Sequence, residues 1–286
     1  MLKVGMIGLG LIGGSLAKSI RLHHKDAVIA AYDTNHNSLS AALEEKVISK
    51  ALTNIDDFTT SDAFLDCDFI FLCTPVESFH VYLPLLKKVL REDTILTDVG
   101  SVKARVHKEI EEYGLNSHFI GGHPMAGTEK AGYENSFPEM MNQTRFLLTP
   151  AKESSEAALE KYKELIRSLN AIPMVLVYWE HDRAVAAISH VPHLVASGLV
   201  DLVASKDEKK FLNEMAAGGF KDITRIASSN PHMWQNICFS NKAAVLEMLD
   251  SYIAIMQQAR ENLAAENVEG LCNHFAVAKE YRDKIN

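Results

Sequence analysis

Short apolar runs alternate with longer amphipathic ones through the first half of the chain. Residues 4–7, 28–32, 69–72, 95–99 and 119–122 are brief, rich in β-branched or aromatic side chains, and bounded by Gly, Pro or Asp, which predicts strands. Residues 11–21, 38–45 and 81–90 carry the helical period between them. Strands alternating with helices predict a parallel sheet covered on both faces. Residues 146–149 and 174–177 offer two further strands, separated by a helix over 154–168. Beyond Trp179 the pattern turns helical throughout, in segments 181–204, 208–218, 220–227, 231–239, 242–266 and 268–284. The spacing therefore divides the chain into an α/β domain over residues 1–177 and an all-α domain over 178–286. No Gly/Ser-rich linker lies between them, so tight packing is expected.

Composition narrows the function classes. With 47% hydrophobic and 23% charged residues, the 286-residue chain has ample material for a core. Lys and Arg number 29 against 37 Asp and Glu, a formal charge of -8, which argues against nucleic acid or an anionic membrane surface as a partner. The longest stretch free of charge and His, residues 4–17, is 14 residues long and holds five glycines. A membrane span needs about 20 apolar residues. Residues 184–204 are long enough, but His190, Pro192, His193 and Asp201 interrupt them, so a soluble helix is expected. No signal-type cleavage site follows the N-terminus. Cys67, Cys73, Cys238 and Cys272 fit no metal spacing, and a reducing cytoplasm is the expected compartment.

The sharpest local signal is Gly8-Leu9-Gly10-Leu11-Ile12-Gly13, directly after the first predicted strand and opening a helix. In that context the glycines serve a tight turn, a close backbone approach to a pyrophosphate, and close helix–sheet packing. The helix N-terminus supplies N–H groups and a positive dipole end to phosphates. The α/β half is thus expected to be a Rossmann-type dinucleotide-binding domain. Asp33 ends the second strand 20 residues past Gly13, where a carboxylate bonds ribose hydroxyls and repels a 2′-phosphate. No Arg follows in Thr34-Asn35-His36-Asn37, so NAD is expected over NADP. Thr74 and Pro75 follow the strand at 69–72 and fall at the same crevice. Ser101, in Asp98-Val99-Gly100-Ser101-Val102-Lys103, suits either the nicotinamide side or a helix cap.

His123 stands in Gly121-Gly122-His123-Pro124-Met125-Ala126-Gly127. This looks like a short shaped loop at the crevice, where an imidazole titrating near neutrality suits proton removal from a hydroxyl losing hydride. His181, His190 and His193 fall on the first helix of the second domain. On an ideal wheel His190 and His193 share a side, and His181 lies about 120° from His193. Spacing alone does not choose between mutual satisfaction and a cavity lining, and Pro192 should kink the helix. No Asp or Cys completes a metal set with these histidines. Lys221 and Arg225 stand four apart after Gly218-Gly219, on what looks like one helix face; they suit an anionic substrate or simply a solvated face.

Together, Gly8–Gly13 with Gly14-Ser15, the segments 98–103, 121–132 (GGHPMAGTEKAG) and 189–193 (SHVPH), GGFKDITRIA at 218–227, and Met233-Trp234 resemble the prephenate dehydrogenase family, in that family's order. The resemblance implies a nucleotide domain followed by a helical domain that dimerises. It implies NAD-dependent oxidative decarboxylation of prephenate to 4-hydroxyphenylpyruvate in tyrosine biosynthesis. It also implies His123 as catalytic base, Ser101 as its support near the substrate hydroxyl, and Arg225 as the main carboxylate ligand. Thr128, Glu129, His181, His193 and Lys221 are implied to be pocket residues. Apolar positions along 242–266, Val245, Leu249, Tyr252, Ile253 and Met256 among them, exceed what one packed face needs, in keeping with a homodimer. With the last helix ending near the C-terminus, the small regulatory module some relatives carry is not expected, nor is strong feedback by tyrosine. The rival chemistries are an arogenate dehydrogenase, a β-hydroxyacid dehydrogenase and a non-catalytic NAD sensor. The GGHPMAG segment argues against the second, and His123 with Arg225 against the third.

Overall fold

The computed structural model describes residues 1–60, 62–128, 130–208 and 211–285. Its strands are β1 (Lys3–Ile7), β2 (Val28–Tyr32), β3 (Lys50–Leu52), β4 (Phe69–Leu72), β5 (Ile95–Asp98), β6 (Ile120–Pro124), β7 (Arg145–Pro150) and β8 (Ile172–Val175). Helices α1 (Leu11–His23), α2 (His36–Glu44), α3 (Asp57–Thr60), α4 (Phe79–Leu86), α5 (Ala104–Glu112) and α6 (Glu156–Ser168) accompany them. The first five strands form a parallel sheet in the order β3-β2-β1-β4-β5, with the glycine-bearing β1 at its centre. Phe69, Phe71, Leu16 and Ile20 fill the layer on the α1, α2 and α6 side. Phe58, Phe79, Leu83, Val106 and Ile110 fill the layer toward α3, α4 and α5.

The sheet does not stay parallel. β6 pairs with β7 antiparallel, and β7 with β8 parallel, in a second sheet β6-β7-β8. The two sheets meet through Leu96 and Phe119, with the Leu96 N–H on the His118 carbonyl at 2.9 Å. Three elements escaped the hydrophobic pattern, the one-turn α3 among them. β3 is only three residues at the sheet edge. α5 is strongly polar overall and buries only Val106, His107 and Ile110.

From Tyr178 onward the described residues are helical: α7 (Tyr178–Val185), α8 (Val191–Lys206), α9 (Phe211–Met215), α10 (Gly218–Thr224), α11 (Pro231–Ser240), α12 (Lys242–Ala264) and α13 (Val268–Arg282). The single helix expected over 181–204 is interrupted by a π turn, Ala186–His190, where Val191 N–H bonds the Ala186 carbonyl five residues back. Pro192 explains the break, because it has no N–H and its ring crowds the carbonyl four residues earlier. The helix expected over 220–227 also ends early, and a 3₁₀ turn, Arg225–Ser228, completes it.

Candidate active site

Between β1 and α1 the glycine turn has the required shape. Gly8 sits at φ 101, donates its N–H to the Tyr32 carbonyl at 2.8 Å, and lies so close to Cys73 that a Cβ would come within 2.8 Å of its carbonyl. A Cβ on Gly13 would meet the Gly8 oxygen at 2.3 Å, so only glycine lets α1 pack this tightly. Around Gly10, by contrast, a Cβ would meet nothing within 4 Å. The open face is at the α1 N-terminus, whose first turn carries no acid, and these features fit a pyrophosphate. Asp33 closes the turn from β2: one carboxylate oxygen accepts the Leu9 N–H at 2.5 Å and the other the Asn35 N–H at 2.7 Å. Leu9 points into the core, while Leu11 and Ile12 are half-buried against it. At the end of β4, the Ser78 hydroxyl donates to the Pro75 carbonyl at 2.7 Å and lies 3.0 Å from Thr74 Oγ1.

His123 is not in a loop. It is the fourth residue of β6, paired opposite Leu147. The two glycines before it are there for clearance. A Cβ on Gly121 would stand 2.4 Å from Thr149 Oγ1, and one on Gly122 would stand 2.5 Å from the Asp98 carbonyl oxygen. Asp98 ends β5 fully buried. Its carboxylate accepts the Gly100 N–H at 2.9 Å and the Gly122 N–H at 3.2 Å, and pairs with the equally buried Lys103 ammonium. It therefore fixes the residues preceding both Ser101 and His123. Burial pushes the Lys103 pKa down against the pull of Asp98.

From β6 a line of polar groups runs into the helical half. His123 Nδ1 lies 2.8 Å from His181 Nε2, and His181 Nδ1 lies 2.8 Å from Asp182 Oδ1. Asp182 also accepts the backbone N–H groups of Lys103 at 2.7 Å and Ala104 at 2.8 Å, capping the start of α5 across the junction. The tautomers follow. A carboxylate only accepts, so His181 Nδ1 carries the proton and its Nε2 is bare. His123 Nδ1–H then donates to that Nε2, which leaves His123 Nε2 as a bare acceptor. The near-neutral titration expected for His123 is not what its surroundings produce. Burial first, then the charges of His181, Lys103 and His190, hold its pKa well below that of a free imidazole. Burial also lowers the His181 pKa, partly offset by Asp182.

His193, on α8, makes a separate set of contacts. It stacks on Trp234 at 3.5 Å between ring centroids, and its Nδ1 lies 2.9 Å from the Ser189 carbonyl. Burial lowers its pKa and the Arg225 charge lowers it further, so the Arg225 guanidinium is within electrostatic reach. The π turn absorbs one residue, or about 100° of rotation. That removes most of the expected angular offset between His181 and His193. Lys221 is exposed on α10, and Arg225 follows on the 3₁₀ turn, so the two do not share one continuous helix. Thr128 is exposed, its hydroxyl oxygen accepting the Lys130 N–H at 3.2 Å. Glu129 lies outside the described residues. Sequence reasoning gave no role to Asp182 or Lys103. The His-Asp dipeptide at 181–182 was the available signal for the first, and a buried Lys has none.

The nucleotide-binding domain of prephenate dehydrogenase matches residues 16–175, and the dimerization domain of prephenate dehydrogenase matches residues 179–277. The chain is 35% identical over 287 residues to the prephenate dehydrogenase of Bacillus subtilis, covering 98% of this chain and 75% of that one. The A. aeolicus prephenate dehydrogenase, solved in complex with hydroxyphenyl propionate and NAD+, superposes with a TM-score of 0.91 at 33% identity, covering 100% of this chain and 99% of that one. Synechocystis arogenate dehydrogenase superposes at 0.85 and 27% identity, covering 99% of each.

Proposed function

The chain belongs to the prephenate dehydrogenase family, and from that premise we propose that it oxidises and decarboxylates prephenate with NAD, using His123 as the base. The observation that carries this reading is the His123–His181–Asp182 line, which leaves His123 Nε2 as a bare acceptor. Gly8, Gly10, Gly13 and Asp33 would hold NAD, which would supply the acceptor for the hydride leaving C4 of the ring. His123 Nε2 takes the 4-hydroxyl proton as the carbonyl forms. The positive charge arising on His123 is shared through His181 toward the Asp182 carboxylate. Ser101, held by Asp98 through Gly100, supports the same hydroxyl. Arg225, with Lys221 and His193 nearby, holds a carboxylate. Loss of carbon dioxide then leaves its bonding pair in the ring, which becomes a phenolate and takes the proton back from His123 Nε2; aromatisation drives the reaction. Steady-state rates with prephenate and with arogenate test this reading. We expect the higher kcat/KM with prephenate; a higher value with arogenate would move this chain to the chemistry for which the Synechocystis relative is named.

Cofactor choice rests on Asp33. Its carboxylate is fixed by two backbone N–H groups, and a carboxylate ending the second strand of such a fold repels a 2′-phosphate. Asp33→Ser should narrow the preference for NAD over NADP by about tenfold, a lost like-charge contact near the surface being worth on the order of 1 kcal/mol. Equal kcat/KM for the two cofactors in the unmodified enzyme overturns the assignment.

The working unit is a homodimer. Among the described residues beyond 178, the buried hydrophobics are Val185, Ala186, Val191, Ala196 and Val245, too few for an independent core. Ile188, Leu202, Leu246, Ile253, Leu263 and Phe275 are instead exposed on the protomer. The segment Tyr178–Lys206 is long and apolar enough to cross a bilayer, but it carries His181, Asp182 and the π turn, and a second copy covers its apolar side. The division between nucleotide and helical domains falls at 177/178. The four cysteines are free thiols, in keeping with the cytoplasm. Light scattering should give the mass of two chains at micromolar concentration, and a monomer there excludes the dimer.

A further inference from the structure

Asn241 lies at the elbow between α11 and α12, buried, and its side chain caps neither helix. Its backbone is already satisfied, with the N–H on the Ile237 carbonyl and its own carbonyl accepting the Val245 N–H, each at 3.0 Å. The amide therefore serves something else. Its Nδ2 donates to the Asp182 carbonyl at 2.7 Å and lies 3.2 Å from His190 Nδ1. Only the NH2 end of an amide can face a carbonyl, and NH2 only donates. His190 Nδ1 is consequently bare, and the ring is the neutral Nε2–H tautomer. His190 in turn meets Trp234 edge-on at 5.9 Å, and Trp234 carries His193 on its face. One amide thus joins the residue bearing the relay carboxylate to the end of the π turn and to the wall of the substrate pocket.

We propose that Asn241 is a positioning residue for the dehydrogenation, holding the His181–Asp182 end of the relay in fixed register with the His193–Trp234 wall. The inference rests on the proposed roles of His123 and His193. A base must meet its hydroxyl while the ring is held elsewhere, and a displacement of about 1 Å at such a site costs up to 100-fold in rate.

Asn241→Asp keeps the shape and removes both donors, and Asn241→Leu keeps the approximate volume without polarity. Each variant is to be assayed for kcat and KM with prephenate, NAD Kd and thermal midpoint, alongside ¹⁵N spectra of histidine-labelled enzyme. We expect folded variants with NAD Kd within about twofold of the parent and kcat lowered about 10–100-fold, by more than any rise in KM. We also expect His190 to read as the Nε2–H tautomer in the parent and to gain an Nδ1 proton in Asn241→Asp. A kcat within about threefold of the parent in either folded variant overturns the proposal. So does a loss fully matched by unfolding or by weaker NAD binding. If neither variant folds, the parent spectrum still decides, because an Nδ1-protonated His190 is incompatible with the amide contact. A parent enzyme that turns over neither prephenate nor arogenate defeats the functional reading instead, and leaves the tautomer result standing.

Discussion

His123→Asn should lower kcat by roughly 10²–10⁴-fold, the range for losing a general base, while NAD Kd stays unchanged. Asn preserves a donor toward His181 Nε2, so the hydrogen bond now at 2.8 Å has a replacement. It offers no group able to take a proton. The glycine turn and Asp33 are untouched, which separates chemistry from cofactor binding. The acid limb of the parent pH profile carries a second signature. A base with a lowered pKa stays unprotonated to lower pH, and burial, His181, Lys103 and His190 all act in that direction on His123. The acid limb of kcat/KM should therefore lie below the pH of about 6.5 at which a free imidazole protonates. A kcat near the parent value in His123→Asn removes His123 from the chemistry.

Parts of this site were legible because their physics is local. A strand followed by Gly8, Gly10 and Gly13 reads locally, since the positive φ of Gly8 and the close approach of Gly13 to Gly8 lie within the motif itself. Asp33 was readable for the same reason, as strand and helix lengths fix its distance from Gly13. For His123 the sequence suggests a loop, whereas the structure sets it within β6. Gly121 and Gly122 look like loop residues, yet they are small because Thr149, Tyr162 and Asp98 crowd the strand there. That crowding comes from residues 28 and 40 positions away in one direction and 23 or 24 in the other. The relay is long-range in the same sense, since His123 and His181 are 58 positions apart. The π turn defeats wheel arithmetic, because a wheel assumes the same step at every residue and Pro192 imposes another. Lys103 reads as a surface cation until Asp98 is seen beneath the same backbone.

Arg225→Ala should raise KM for prephenate far more than it lowers kcat, because a carboxylate grip made equally in ground and transition states contributes to binding and not to the chemical step. Truncating one partner of a buried charge pair costs 2–5 kcal/mol. Arg225 is exposed on the free protomer, so its contribution belongs at the lower end, about 2 kcal/mol or roughly 30-fold in KM. Arg225→Lys should recover only part of this, since an ammonium keeps the charge and loses the two-pronged fit. His193 gives an internal check. The Arg225 charge adds to burial in lowering its pKa, so in Arg225→Ala the imidazole should titrate at higher pH than in the parent, readable by NMR without substrate. NAD Kd should not move, because the glycine turn and Asp33 lie on the other domain. A solvated surface arginine makes a different forecast: both substitutions leave KM within about twofold, as surface changes of at most ~0.5 kcal/mol allow. An unchanged KM in Arg225→Ala, with prephenate turnover intact, removes this residue from substrate binding.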